Sequence, residues 1–229
     1  MKVYAMSDIH GYLHEFETAL KKIDLSGDNL LILLGDYIHG PNSYGVLDKI
    51  IDLQEKFGSN KVIALLGNHE EMALNGSWNI NEERFGCKNT NNMTSDSYYL
   101  EWMSNLPLYY VVGNAIFVHA GIDEEAASFG YWELGTVERI FTNKFPAETG
   151  KIDHFDMKII AGHIGTNVIS NNPNYHDIFY DGGSHYFIDG TVKKSGNIPV
   201  LMYDTLKDQF FEITNNNPSL ISPYVEDIL

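Results

Sequence analysis

Three short apolar runs in the first seventy residues each end in a polar cluster, and this repeat constrains the fold more than any other feature of the chain. KVYAM (Lys2–Met6), NLLILL (Asn29–Leu34) and KVIALL (Lys61–Leu66) are unbroken and β-capable, as strands buried on both faces of a sheet are. Between them Leu13, Phe16, Leu20 and Ile23, and then Val46, Leu47, Ile50, Ile51 and Leu53, recur at helical spacing. Strand, helix, strand, helix, strand implies a layered α/β core with right-handed crossovers. The second half is richer in strands. Leu108–Gly113, Ala115–Gly121, Lys158–His163, Ile178–Gly183, His185–Gly190, Val200–Asp204 and Gln209–Thr214 are bounded by Gly, Asn or Asp, as hairpins are. Gly113-Asn114 reads as a tight hairpin turn. Asn75–Thr94, crowded with Asn, Gly and Ser, reads as a cap or insertion, followed by a short helix carrying Tyr98, Tyr99, Trp102 and Met103. The expectation is one domain over residues 1–229 with a cap insertion at about 75–106. The tail from Asn215 shows no period and is left unassigned.

Composition narrows the field by exclusion. With 15 Lys+Arg against 31 Asp+Glu the formal net charge is −16, a field that repels nucleic acid and anionic membranes at long range. Neither is an expected partner. At 229 residues, 44 % hydrophobic and 13 % aromatic, the chain has material for one sizeable core. The single cysteine, Cys87, excludes an intramolecular disulfide and a thiolate zinc site. No apolar run approaches the roughly 18 residues of a membrane span, and MKVYAMSDIHG is not a signal peptide. The expected address is the cytoplasm.

The polar clusters carry the chemistry. SDIHG, GDYIHG and GNHEE follow the three early runs, and in an open α/β sheet ligands bind beyond the carboxyl ends of the strands. FVHAG and AGHIG occur later. Together they offer Asp8, His10, Asp36, Asn68, His69, His119 and His163. Carboxylate, imidazole and amide without thiolate suit a pair of divalent ions such as manganese, iron or zinc.

The order Asp-x-His, Gly-Asp-x-x, Gly-Asn-His-Glu, His-Ala-Gly, Gly-His resembles the calcineurin-like metallophosphoesterases, among them the bacterial and phage serine/threonine protein phosphatases and the symmetrical diadenosine tetraphosphate hydrolases. The resemblance spans about Lys2 to His163 and continues weakly to Gly190. It implies a layered β-sandwich flanked by helices. It also implies that Asp8 and His10 bind one metal, that Asp36 bridges two, and that Asn68, His119 and His163 bind the second. His69 would protonate the leaving oxygen. Such a pair of ions, roughly 3.5–4 Å apart, clamps phosphate oxygens and acidifies a bridging water for in-line attack, while a positioned histidine contributes on the order of 10²–10⁴ in rate.

One motif departs from the family. The usual GDxxDRG reads Gly35-Asp36-Tyr37-Ile38-His39-Gly40, so the Asp that orients the general acid and the Arg that binds phosphate are both missing. His39 takes over the orienting role if its neutral imidazole accepts a hydrogen bond from His69; otherwise it is a polar loop residue. Gly40 replaces a bidentate phosphate contact with nothing. Only two arginines exist, Arg84 in the cap region and Arg139. Arg139 lies where related phosphatases carry a second phosphate-binding Arg; its alternative is an ion pair with a neighbour such as Glu138. Tyr37, Trp78 and Tyr98 are candidates for a substrate face or for packing. His14, His154, His176 and His185 read as surface or packing residues.

The resulting expectation is a metal-dependent phosphoesterase that hydrolyses phosphomonoesters, phosphoserine or phosphothreonine on protein first among them, through hydroxide bridging two divalent ions, manganese first and iron or zinc next; its partner is a phosphorylated protein or small molecule. The alternatives are a dinucleoside polyphosphate or nucleotide hydrolase, and a weakened protein that only binds phosphorylated partners. The oligomeric state is left open.

Overall fold

The computed structural model describes residues 1–80, 93–215 and 217–226. The first half runs β1 (Lys2–Met6), α1 (Leu13–Leu20), β2 (Leu30–Leu33), α2 (Ser43–Phe57), β3 (Val62–Ala64), α3 (Asn68–Leu74) and α4 (Met93–Ser104). The second half continues with β4 (Tyr109–Val112), β5 (Ala115–Val118), α5 (Glu124–Ser128), α6 (Trp132–Gly135), α7 (Glu138–Asn143), β6 (Lys158–Ala161) and α8 (Thr166–Ile169). It closes with β7 (Phe179–Tyr180), β8 (His185–Phe187), α9 (Val192–Ser195), β9 (Leu201–Asp204), β10 (Gln209–Thr214) and β11 (Asn217–Leu220). The strands form two sheets, ordered β11-β10-β9-β1-β2-β3 and β4-β5-β6-β8-β7.

The continuous apolar runs are explained by burial on both faces. In β1, Val3 and Ala5 point between the sheets, where they meet Ile32, Leu34, Phe117, Ile160 and Leu201. Tyr4 and Met6 point outward and pack with Phe16, Val46, Leu47 and Ile50 of α1 and α2. The second sheet repeats the arrangement: Ile116, Val118, Ile159 and Phe187 face Ala127, Trp132 and Phe141. Helices, sheet, sheet, helices is thus the layer order, and three apolar clusters fill the three interfaces. α2 starts where the Asn42 side chain accepts from Gly45 N at 3.1 Å and stops at Gly58, whose φ of +95° suits a residue without Cβ.

Strand direction corrects one part of the sequence reading. β1, β2 and β3 are parallel as expected, and β4 pairs antiparallel with β5 through Val112↔Ala115, which makes Gly113-Asn114 the turn. β7 and β8 likewise form a hairpin, but β6 joins no hairpin: it lies between β5 and β8 and runs parallel to both. Gly and Asp after these strands mark loops that bear site residues and lead into crossovers. The tail also gains an edge strand: β11 pairs with β10 and tolerates Pro218 at the sheet margin.

The helix expected after the insertion is α4, and it lies against α2. Tyr44 Oη donates to Asp96 Oδ1 at 2.6 Å, Tyr99 Oη to Asp48 Oδ1 at 2.5 Å, and Trp102 Nε1 to Gln54 Oε1 at 2.9 Å. Met103 is fully buried. Much of the expected insertion, with Arg84 and Cys87, lies outside the described residues. Among the described residues no helix is long and apolar enough to cross a membrane.

His185 sits at the start of β8, buried, with Nδ1 2.7 Å from Asp181 Oδ2 and Nε2 3.1 Å from Glu124 Oε1. Burial opposes its charge, but the two carboxylates outweigh burial and lift it to about 9. A pKa raised on folding gives stability that is full below the ordinary imidazole value and is lost as pH rises through the folded one. The melting temperature of the wild type should therefore exceed that of His185→Gln most below the ordinary imidazole value, and the gap should shrink from there and close as pH rises past about 9. A gap independent of pH, followed by thermal denaturation, would contradict this pairing.

Candidate active site

The residues of the five motifs come together where the carboxyl ends of both sheets meet. Asp8 follows β1, Asp36 follows β2, Asn68 opens α3 just beyond β3, His119 follows β5 and His163 follows β6. The first two loops are laced together by main chain: His10 N donates to Asp36 O and Gly11 N to Tyr37 O, both at 2.8 Å. At the site, two bonds cross the seam between the sheets. His163 N donates to Asp8 Oδ2 at 2.9 Å, and His119 Nδ1 lies 2.7 Å from Leu34 O.

These loops run through unfavourable backbone. Asp8, His10, Asp36, His39 and His163 have φ of +53°, +46°, +56°, +66° and +65°, a region most residues with a Cβ avoid. Such positions cost about 1–3 kcal/mol each and persist where the surroundings over-determine them. What over-determines the β2–α2 loop is Glu70, fully buried at the third position of α3. Its carboxylate accepts from Asp36 N and Tyr37 N at 2.8 Å, Gly67 N at 3.1 Å and Ile38 N at 3.3 Å. Sequence reasoning quoted GNHEE but gave Glu70 no role. The signal was there: a Glu three residues after the Gly before a helix is the return half of a capping box.

The side chains converge on the Asn68 amide and the Asp36 carboxylate. His119 donates from Nδ1 to Leu34, so its Nε2 carries the lone pair, 2.9 Å from Asn68 Oδ1 and 3.4 Å from Asp36 Oδ1. His163 Nδ1 is 3.1 Å from the same Asn68 oxygen. That amide position also lies 3.1 and 3.2 Å from the two Asp36 oxygens. On the other side, His10 is oriented by Nδ1 on Ile38 O, which turns Nε2 to within 3.7 Å of Asp36 Oδ2 and 3.9 Å of Asp8 Oδ1. Two groups of potential ligands result, His10 with Asp36 and His69, and Asp36 with His119 and His163. Asp36 belongs to both.

Electrostatics points the same way. Burial, with Asp36 beside it, pushes Asp8 up to about 7, and burial pushes Asp36 to about 6. Burial drives His119 down to about 3 and His163 to about 4. Carboxylates are reluctant to ionise and imidazoles reluctant to take a proton. A divalent cation relieves both at once, since it neutralises the carboxylates and accepts the imidazole lone pairs. The donor set fits such ions. With the Asn68 amide turned over, its Nδ2 donates to His119 Nε2, His163 Nδ1 and the Asp36 carboxylate, and every polar atom of that group finds a partner.

His69 stands 3.7 Å from Asp36 Oδ2 and is pushed down to about 3 by burial and by His10 and His39. Its Nδ1 contacts His39 Nδ1, and the His39 ring packs 5.2 Å from Trp78. A cavity of about 470 Å³ opens beside His10, His39, Gly40 and His69, with Lys193 on its wall. A second groove of about 430 Å³ adjoins Asn68 and is lined by Trp78, Arg139 and Asn143. Glu71 fixes that flank by accepting from Thr142 Oγ1 and Asn143 Nδ2, both at 2.8 Å. Tyr37 is not on a substrate face. It is fully buried, and its hydroxyl bonds the backbone of Leu33, Gly35 and Leu65. Tyr98 packs on Tyr99 and lines neither opening. Asp189, just beyond β8, is a buried carboxylate that sequence reasoning missed; it accepts from Thr191 N at 2.7 Å.

Comparison with known proteins gives the chain a family and relatives of the same fold. The family model of calcineurin-like phosphoesterases matches residues 1–204. Shewanella-like protein phosphatase 1 of Plasmodium berghei is 31 % identical over 143 residues, a stretch that is 53 % of this chain and 39 % of that protein. Among solved structures, the cold-active protein-tyrosine phosphatase of a psychrophilic Shewanella species superposes with a TM-score of 0.69 at 17 % identity, covering 96 % of this chain and 80 % of that one. A protein serine/threonine phosphatase from Saccharomyces cerevisiae gives 0.63 at 15 % identity, covering 89 % and 72 %. Likeness at that identity speaks for the shared fold.

The role of Glu70 yields a test. Glu70→Gln keeps the shape but replaces an acceptor oxygen with a donor, which leaves backbone N–H groups unpaired; hydrogen bonds to a charged group contribute roughly 1.5–3 kcal/mol each. The variant should melt several degrees lower and bind less metal by elemental analysis. A Gln variant with wild-type metal content would show that the β2–α2 loop holds itself.

Proposed function

The chain belongs to the calcineurin-like phosphoesterase family, and from that membership we propose that it hydrolyses phosphomonoesters, phosphoserine or phosphothreonine on protein first among them, at two divalent ions. We read it as one domain over 1–229 with an insertion around 75–106. The observation that carries the reading is the shared carboxylate: Asp36 stands in both groups of potential ligands. Asp8, His10 and Asp36 would hold one ion, and Asp36, Asn68, His119 and His163 the other, with manganese the first choice and iron or zinc next. When bound, such ions neutralise the phosphate oxygens and acidify a water.

The remaining work falls to the chain itself. A leaving alkoxide needs a proton, and His69 borders the cavity from which it would deliver one. In the free site His69 is held neutral; an entering phosphate dianion replaces the repulsion of its neighbours with attraction and restores its affinity for a proton. His39, in contact with His69 and backed by Trp78, sets the ring's orientation. Arg139, on the groove next to Asn68, meets the substrate from the side of the second ion. It makes no ion pair with Glu138.

Turnover of p-nitrophenyl phosphate by Mn²⁺-loaded protein tests the reading, and phosphoserine, phosphothreonine and phosphotyrosine peptides set against diadenosine tetraphosphate test the substrate class. Metal-loaded protein that binds phosphopeptides without turnover would leave only the binding reading standing. His69→Asn should retain both metals yet lose at least about 10² in kcat on alkyl phosphates, and less on p-nitrophenyl phosphate, whose leaving group needs little protonation. Loss of one metal would instead make His69 a ligand, a role its distance to Asp36 also allows. Arg139→Ala should lower kcat/KM about tenfold, the effect of one charge-assisted contact; unchanged kinetics would return it to the surface.

A further inference from the structure

The second motif lacks its arginine for a steric reason. A Cβ built on Gly40 would lie 1.5 Å from the carbonyl oxygen of His10 and 2.5 Å from its carbon. The facing residue is also a glycine: a Cβ on Gly11 would come within 2.8 Å of Gly40 C. Here the β1–α1 and β2–α2 loops touch main chain to main chain, and Asn42 N donates to Gly11 O at 3.0 Å to hold them so. No side chain can leave position 40 in this arrangement. A cation for the phosphate on this flank has to come from another element.

One arrives from the opposite sheet. The turn after β8 brings Lys193 of α9 to the wall of the cavity that His10, His39, Gly40 and His69 also line. Its backbone is well fixed. Val192 is buried, Thr191 takes a left-handed φ of +48°, Asp189 accepts from Thr191 N at 2.7 Å, and His176 Nδ1 lies 2.6 Å from Thr191 Oγ1. The ammonium makes no ion pair among the described residues, although the chain carries 31 acidic side chains. The rest of the named lining is imidazole or uncharged, so Lys193 is the wall's one permanently cationic side chain among the described residues.

We propose that Lys193 is a second substrate-binding cation, on the flank opposite Arg139, and takes over, from the end of the second sheet, the phosphate contact that Gly40 cannot provide. The proposal rests on the phosphoesterase reading for its substrate. An ammonium is a compact point charge without the planar fork of guanidinium, so it attracts a phosphate without fixing its rotation. Its loss should therefore appear in binding more than in the chemical step.

Inorganic phosphate, as a competitive inhibitor of p-nitrophenyl phosphate turnover by Mn²⁺-loaded protein, reads this contact directly. Lys193→Ala should raise both the phosphate inhibition constant and KM about tenfold, with kcat within about threefold and an unchanged melting temperature. Lys193→Arg should bind phosphate as the wild type does. Lys194→Ala, a neighbour absent from the named cavity wall, should change nothing. An unaltered inhibition constant in Lys193→Ala overturns the proposal, as does an equal shift in Lys194→Ala, which would signal the field of the surface rather than a contact. If the wild type turns over no ester, the phosphoesterase reading fails by itself. Calorimetric titration of phosphate into metal-loaded wild type and Lys193→Ala then decides the contact: weaker binding in the variant supports it, and equal or absent binding in both overturns it.

Discussion

A single buried carboxylate organises the site. Glu70 reaches back from the first turn of α3 and accepts hydrogen bonds from Gly67, Asp36, Tyr37 and Ile38. Each of those N–H groups would otherwise lie in the interior without a partner, because the loop around Asp36 leaves the strand and belongs to no helix. Through them the end of β2 is fastened to the end of β3. Asp36, Asn68 and His69 are consequently parts of one rigid unit rather than of two loops that happen to be close. Burial and the nearby Asp36 push Glu70 up to about 7, against the four N–H groups that favour its charge. A cation at Asp36 would remove that repulsion, so the clamp and a bound ion would support one another.

The frame was legible because its physics is local. Continuous apolar strands in Lys2–Met6 and Leu30–Leu33 follow from burial on both faces, and a polar cluster ending each strand follows from where ligands bind on α/β sheets. Chain-wide relationships were not legible. Whether β5, β6 and β8 run parallel depends on crossovers whose short helices, α5 to α8, carry weak periodicity. Tyr37 sits inside a motif and was open to either a substrate-facing or a packing role; one step from Asp36 along the chain, its side chain points the other way and enters the core. Gly40 read as the loss of a phosphate contact. Only the backbone of His10, thirty residues earlier, explains it.

Strain and support are divided between different parts of the chain. Five left-handed residues cluster in the loops, while the strands that bear them are regular and fully packed. The loops thus hold conformations they would not adopt alone, and the sandwich maintains them. This is the arrangement expected when several ligands must point at one place from separate elements.

The site straddles a seam. Asp8 and Asp36 belong to the first sheet, His119 and His163 to the second, and two hydrogen bonds already cross between them. An ion shared by Asp36, His119 and His163 would act as a rivet through two plates, so separating the sheets and releasing that ion become a single event. Metal affinity and sheet docking are then two measures of one free energy. Whatever loosens the packing of Leu34 against Phe117, each two residues before a side chain of the site, would loosen the hold on such an ion as well.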